Sequence, residues 1–177
     1  GDRNQETEAT LPPHSEEAER GVLGCILIEP DNCLSAAEEL GMAADWFYVN
    51  AHGLLWERMA QLRKMGKPVD TITLFEICKV SDCLDAVGGL NFITSLPSEV
   101  ASAANFPYYA EILRERRIAR KLLQVCHETV CLVREHAGPV DALLGRVESA
   151  FLAVTEPAAR RTEQTIKDVL AEVVDEM

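Results

Sequence analysis

The protein has 177 residues, of which 47% are hydrophobic and 26% charged, a composition typical of a globular domain with its own core. Its net charge of −12 disfavours general binding to a phosphate backbone, although residues 107–136 form a mildly basic segment. No run approaches the ~18 apolar residues of a membrane span. The first ten residues are polar and do not resemble a secretion signal, so we expect a reducing, cytoplasmic setting without membrane attachment.

Helical periodicity runs through the first hundred residues. Ser15 is a predicted N-cap, with Glu16, Glu17 and Glu19 near the positive end of the helix dipole and apolar residues behind them until Pro30. Further helices are predicted for residues 31–40, from a cap at Asn50 to the break at Gly66 and Pro68, from a cap at Asp70, and for residues 90–96.

A long helical hairpin is predicted in the second half. Residues 97–105 form a loop ending in a candidate cap at Asn105, and the longest helix is expected from Pro107 to His136. Its predicted apolar stripe comprises Ile112, Ala119, Leu122, Leu123, Cys126, Val130 and Val133. The break Ala137-Gly138-Pro139 leads to a second helix over residues 140–154, with Leu143, Leu144, Val147, Phe151 and Val154 on its apolar face. Helices joined by so short a turn pack antiparallel.

The predicted fold class is all-α, because no segment alternates over more than a few residues as a strand does. We expect a disordered tail or remnant of cloning at 1–11, a compact multi-helix subdomain at 12–106, the hairpin at 107–155, a linker at 156–164 and a short helix at 165–177. That last helix has an apolar face made by Ile166, Val169, Leu170 and Val173. Such a face favours docking on another chain or domain, with folding back on the hairpin as the alternative.

The chemical motifs of common enzymes do not occur in this sequence. Its glycines fit neither GxxxxGK[ST] nor GxGxxG, so no phosphate cradle is expected in these residues. The six cysteines lack CxxC spacing and lie mostly among apolar neighbours, which indicates reduced side chains in a core. His127 and Cys131 have a spacing compatible with metal ligation, but two further ligands would have to come from elsewhere, so core or surface positions are favoured over zinc.

Two other segments suggest binding. The run Trp46-Phe47-Tyr48 has the aromatic character of a base-stacking site, but it lacks interleaved basic residues, and core packing is the better interpretation. On the long helix Arg117, Arg120 and Lys121 share a face. Two interpretations of this face are equally good. One is a solvated face paired with nearby glutamates, and the other is a contact surface for an acidic partner, a phosphate backbone or a partner helix.

Five segments occur in an order and at spacings that indicate one family. They are Pro13-His14-Ser15-x-Glu17-Ala18-Glu19-x-x-Val22-Leu23-Gly24; Asp45-x-Phe47-Tyr48 followed by His52; Met59-x-x-Leu62-x-x-x-Gly66-x-Pro68-Val69-Asp70-x-x-Thr73-Leu74; Val87-Gly88-Gly89; and Ser102-Ala103-Ala104-Asn105-x-x-x-Tyr109-Ala110-x-Ile112-Leu113-Arg114-Glu115-Arg116. Together, over roughly residues 12–155, they resemble the N-terminal domain of DnaB-family replicative DNA helicases.

The resemblance implies a scaffolding function. Family members carry an N-terminal helical domain, a linker helix and a RecA-like motor domain, and they form hexameric rings that use ATP to move 5′→3′ on single-stranded DNA. For this chain the resemblance implies a collar of paired hairpins, recruitment of a DnaG-type primase, a helicase loader as a further partner and docking of helix 165–177 on a neighbouring motor domain. ATP, Mg²⁺ and single-stranded DNA would belong mainly to the motor domain, so no catalytic, cofactor or metal residue is assigned here and the fragment is expected to be inactive.

The candidate partner or oligomer interface comprises Arg117, Arg120, Lys121, Val133, Val140, Leu143, Leu144 and Val147, and the candidate motor-docking residues are Ile166, Val169, Leu170 and Val173. A cytoplasmic, nucleoid-associated location follows from the resemblance. Two alternatives remain open: a stand-alone regulatory or adaptor protein that binds a replicative helicase or primase, and a small all-α enzyme or metal protein.

Overall fold

A computed structural model describes residues 11–155, and helix is the regular secondary structure of that range. The α-helices are α1 (Glu16–Ile28), α2 (Pro30–Glu39), α3 (Asn50–Lys64), α4 (Thr71–Val80), α5 (Gly89–Ser95), α6 (Phe106–Glu135) and α7 (residues 140–155). Short 3₁₀ turns cover Ala44–Trp46, Leu96–Glu99 and Ala103–Asn105. The all-α prediction is confirmed. Among the described helices none is long and apolar enough to cross a bilayer.

The chain divides into two compact units that meet between Arg117 and Ile118. Within the described residues, the first unit holds α1 to α5 and the start of α6, and the second holds the rest of α6 together with α7. The predicted boundary after residue 106 coincides with the start of α6. The boundary between the two units in the structure lies farther along that helix, after Arg117.

Helix α1 lies at the centre of the first unit. Val22, Leu23 and Ile26 are completely buried, and the helix packs on α2, α3 and the turn Leu96–Glu99. Two glycines allow this close approach, because a Cβ added at Gly24 would lie 2.5 Å from the Leu96 carbonyl oxygen and one at Gly21 would lie 2.8 Å from the Tyr109 ring. The missing side chains therefore set how deeply α1 is buried.

Side-chain caps define the starts of α1 and α4 in the first unit. The Ser15 hydroxyl accepts from the Ala18 amide at 3.3 Å, and Asp70 forms a complete capping box with Thr73. The predicted cap at Asn50 is wrong by one residue, since Asn50 is the first residue of α3 and Val49 precedes it. The predicted loop 97–105 is largely two 3₁₀ turns, and the Ser102 hydroxyl accepts from the Ala104 amide at the second one.

The second unit is a pair of consecutive helices joined by residues 136–139. The Ala142 amide donates to the Pro139 carbonyl oxygen at 3.2 Å, and His136 Nε2 lies 3.0 Å from the same oxygen. Both predicted helices are confirmed, with α6 starting and ending one residue earlier than expected. The buried or half-buried large apolar side chains follow heptad spacing on α6 (Ile118, Leu122, Val125 and Leu132) and helical spacing on α7 (Leu143, Val147, Phe151 and Val154).

The predicted apolar stripe of α6 needs a correction. Val125, which was not part of the prediction, is the one residue buried to 8% exposure in the described part of the second unit, whereas Leu123, Val130 and Val133 are 48–56% exposed. The helix therefore carries two apolar stripes side by side. One is covered within the hairpin, and the other is open to solvent.

Candidate interaction surface

The signature motifs of the first unit converge on one buried carboxylate. Glu19 is 1% exposed, and its oxygens accept from the amides of Tyr48 at 2.7 Å and Val49 at 3.2 Å and lie 2.7 Å from His52 Nδ1. Glu16 and Glu17 are exposed in the first turn, as expected for residues that interact with the dipole. The same interpretation is wrong for Glu19, because its position on the helix turns it into the core beside Val22.

Two ring contacts complete this cluster. The imidazole of His14 stacks on Tyr48 with 4.3 Å between ring centroids, and His52 stacks on Phe92 at 5.5 Å. A buried carboxylate is tolerated only when donors surround it, and here three donors do so. At 1% and 4% exposure the Glu19–His52 pair leaves no space for a substrate. The cluster therefore ties the segment before α3 to α1 and has no access for catalysis.

The aromatic run belongs to the core, as predicted. Trp46 and Phe47 are 3% and 7% exposed, and Phe47 packs on Trp56 with ring centroids 6.1 Å apart. These rings are therefore not available to stack on nucleic acid bases.

The basic face of α6 is partly engaged within the first unit. Arg117 donates from Nε and Nη2 to the Asp45 carboxylate at 2.9 and 2.8 Å, and its guanidinium lies over the Trp46 ring at 5.9 Å. Arg120 and Lys121 are half-buried on the second unit. A role of these three side chains in partner binding stays a prediction, and Arg117 has a structural role of its own.

Most of the exposed apolar side chains of the second unit form what we call the outer apolar face. Its members are Leu123, Val130 and Val133 on α6 and Leu144 on α7, each 48–59% exposed. At 100° per residue, the three α6 residues and Leu144 are rotated in the same sense from the buried stripe of their own helix, so that all four lie on one side of an antiparallel hairpin. Four large apolar side chains on one side of two helices are a typical protein-binding surface.

The predicted interface residues of the hairpin separate into two groups. Val133 and Leu144 belong to the outer apolar face, whereas Leu143 and Val147 are half-buried within the hairpin, and Val140 continues their stripe to the exposed start of α7. The helical pattern of the sequence marked all five as apolar but gave no means of choosing between the two sides. The candidate docking residues Ile166, Val169, Leu170 and Val173 lie outside the described residues.

The six cysteines, all free thiols, differ in exposure, and Cys83 is intermediate between a buried and an exposed group. Cys25, Cys33 and Cys78 are buried core residues as predicted, and burial raises the pKa of the first two thiols to about 11 and that of Cys78 to about 12. Cys126 and Cys131 are exposed on α6, so for them the expectation of core positions is wrong. Within residues 11–155 no three potential ligands gather at one metal-sized site.

Comparison with known proteins assigns the family. The model of the DnaB-like helicase N-terminal domain matches residues 11–115. The chain belongs to this family. The replicative DNA helicase DnaC of Bacillus subtilis is 33% identical over 165 residues, which are 93% of this chain and 36% of that protein. DnaB of Treponema pallidum is 39% identical over 97% of this chain and 39% of its own length. The chain thus spans little more than a third of these relatives.

Solved structures show the same fold. The N-terminal domain of DnaB helicase from Mycobacterium tuberculosis superposes with a TM-score of 0.73 at 28% identity, over 81% of this chain and 99% of that one. A second structure, of a DnaB-like replicative helicase and its interactions with primase, matches with a TM-score of 0.62 at 25% identity, over 77% of this chain and 31% of that one. The resemblance found in the sequence is confirmed.

The glycines of α1 do not form a nucleotide-binding loop. Binding of a nucleotide triphosphate requires a glycine-rich loop whose amides surround the phosphates. In this chain Gly21 and Gly24 lie inside α1 and serve close packing against Tyr109 and Leu96.

Proposed function

We propose that this chain is the assembly and recruitment domain of a hexameric replicative DNA helicase. The outer apolar face carries this proposal, because a family member that leaves such a face in solvent needs a partner for it. A second copy is the simplest partner, since a two-fold axis lets one self-complementary patch cover itself. Paired hairpins would then build the collar of the ring.

The parent protein in this proposal unwinds DNA in the 5′→3′ direction. ATP, Mg²⁺ and most contacts to single-stranded DNA belong to a motor domain that these 177 residues do not include, and the linker helix 165–177 docks on a neighbouring motor domain. The protein acts in the cytoplasm at the nucleoid. Support comes from the family and from relatives that are replicative helicases.

A DnaG-type primase is the proposed partner of the assembled collar, with a helicase loader as a further partner. One structural neighbour is a DnaB-like helicase described with its interactions with primase, which supports the first of these partners. Arg117, Arg120 and Lys121 are the candidates for contact with an acidic surface, and the guanidinium of Arg117 is bound to Asp45 in the described structure. Charge reversal at Arg117 would disturb that ion pair and is a poor probe of partner binding.

Sedimentation velocity with a matched pair of variants tests the self-pairing. Leu144→Asp places a charge in the outer apolar face, and Ser149→Asp places the same charge on the other side of α7, where Ser149 is exposed. We expect the wild-type chain and Ser149→Asp to dimerise with equal affinity. Leu144→Asp should remain monomeric over the same concentrations, with unchanged helix content by circular dichroism. A monomeric wild type, or equal dimerisation of all three chains, would refute the proposal.

A further inference from the structure

His127 and Cys131 bring two metal-binding atoms together on the outward side of α6. The residues are one helical turn apart, both are exposed, and Cys131 Sγ lies 4.0 Å from His127 Nε2. At 100° per residue they lie roughly opposite the buried stripe of Leu122 and Val125. The pair is therefore accessible to an ion from solvent without any change in the fold.

The separation of the two atoms suits chelation. Zinc binds thiolate sulfur at about 2.3 Å and imidazole nitrogen at about 2.0 Å, and a tetrahedral angle between them places the two ligand atoms about 3.6 Å apart. Exposed side chains cover the remaining few tenths of an ångström by a small rotation about their χ angles. The backbone already fixes the spacing, so little conformational freedom is lost on binding.

We propose that His127 Nε2 and Cys131 Sγ chelate a thiophilic divalent cation of the zinc class, with solvent in the remaining coordination positions. On binding, the thiol proton passes to solvent and the sulfur binds as thiolate, while the imidazole binds in its neutral form. The proposal depends on these two side chains alone and not on the proposed function.

The other thiols of the described segment are poorer ligands for such an ion. Cys78 and Cys83 are adjacent at the end of α4, where the Cys83 amide donates to the Cys78 carbonyl oxygen at 3.0 Å. Burial raises the pKa of Cys78 to about 12, which keeps that sulfur protonated. Cys126 is exposed on α6 like Cys131, but the residues one turn away, Leu122 and Val130, offer no second ligand.

A bound ion would act as a clip on the end of the long helix. From residue 126 onward no described residue of α6 is buried, so few tertiary contacts hold these last turns. A link between positions four apart stabilises the helical turn between them because it can form only when that turn is closed. The expected consequence is slower amide exchange at residues 127–131 when the metal is present.

The test is a metal titration of the whole chain with three variants. Zn²⁺ is followed by calorimetry, and Co²⁺ by the absorption band of its bond to thiolate. Cys131→Ser and His127→Ala remove one ligand each, and Cys126→Ser removes an exposed thiol of the same helix that has no partner ligand. We expect at least about a tenfold loss of Zn²⁺ affinity in the first two variants, since even outer-shell changes at metal sites cost that much, and no loss in the third.

Amide exchange at residues 127–131 gives a second measurement. Zn²⁺ should slow it in the wild type and in Cys126→Ser but not in Cys131→Ser. The proposal is overturned if the wild type binds no metal, if Cys131→Ser binds as tightly as the wild type, or if Cys126→Ser loses as much affinity as Cys131→Ser. Because the three positions are exposed, unchanged circular dichroism is expected for every variant.

Discussion

The two units of the chain bury their apolar surface to very different degrees. In the first unit, the middle of α1 from residue 21 to residue 26 is buried on all sides, and even a carboxylate is buried there with three donors around it. In the described part of the second unit a single side chain, that of Val125, is buried, and four large apolar residues face solvent along one side. The first unit also exposes apolar side chains, Ile72 and Val80 among them, but these surround a large buried core, whereas in the second unit the exposed apolar side chains outnumber the buried ones and favour a partner.

The largest effect in the first unit is expected from Glu19→Ala. This change leaves the amides of Tyr48 and Val49 and the His52 ring without their buried acceptor, which should cost about 3–5 kcal/mol of unfolding free energy. Both tryptophans, Trp46 and Trp56, lie in this unit, so urea unfolding followed by their fluorescence reports it directly. The matched control Glu17→Ala is exposed and should change the free energy by less than about 0.5 kcal/mol. Equal effects of the two changes would show that the cluster does not stabilise the unit.

A glycine-to-alanine pair contrasts the two units with one chemical change. In Gly24→Ala the new methyl group meets the Leu96 carbonyl oxygen, so α1 must shift at a cost of about 1–3 kcal/mol. In Gly145→Ala on α7 the methyl group has no neighbour within 4 Å, and the helix gains about 0.5–1 kcal/mol from the better helix former. Fluorescence-detected unfolding measures the first change and amide exchange of residues 140–155 the second. A change in unfolding free energy of the same sign at both positions would contradict the packing described for the two units.

The smallest change in unfolding free energy is expected for a substitution at the N-cap of α4. Asp70→Ala removes the acceptor for the amides of Ile72 and Thr73 and should cost about 1 kcal/mol. The hydrogen bond from the Thr73 amide lowers the pKa of Asp70. The stabilisation is therefore complete at neutral pH and is lost as the pH falls through this lowered pKa. The difference in unfolding free energy between wild type and variant, measured by urea unfolding, should therefore narrow only in acid.

The helices themselves could be predicted because their signals are local. Caps at Ser15 and Asp70 and the break before α7 depend on neighbouring residues alone, and so the predicted positions agree with the structure to within about a residue. The family could be recognised for a related reason, since its motifs are short segments at fixed spacings.

The contacts that join distant segments could not be predicted in this way. Glu19 resembles Glu16 and Glu17 in composition, and only its spacing of three and four residues from Val22 and Leu23 indicates the buried side of α1. The pairing of Arg117 with Asp45 joins residues 72 positions apart, and no local pattern marks it. On α6 two apolar stripes run side by side, and the sequence alone did not show which of them the hairpin covers.

Amide hydrogen exchange of the whole chain at two protein concentrations tests the difference between the units most directly. We predict that exchange slows with concentration along residues 123–144, where the outer apolar face lies, and stays constant throughout residues 11–117. Exchange that is independent of concentration in both units, or slowing that appears in residues 11–117 instead, would contradict the account.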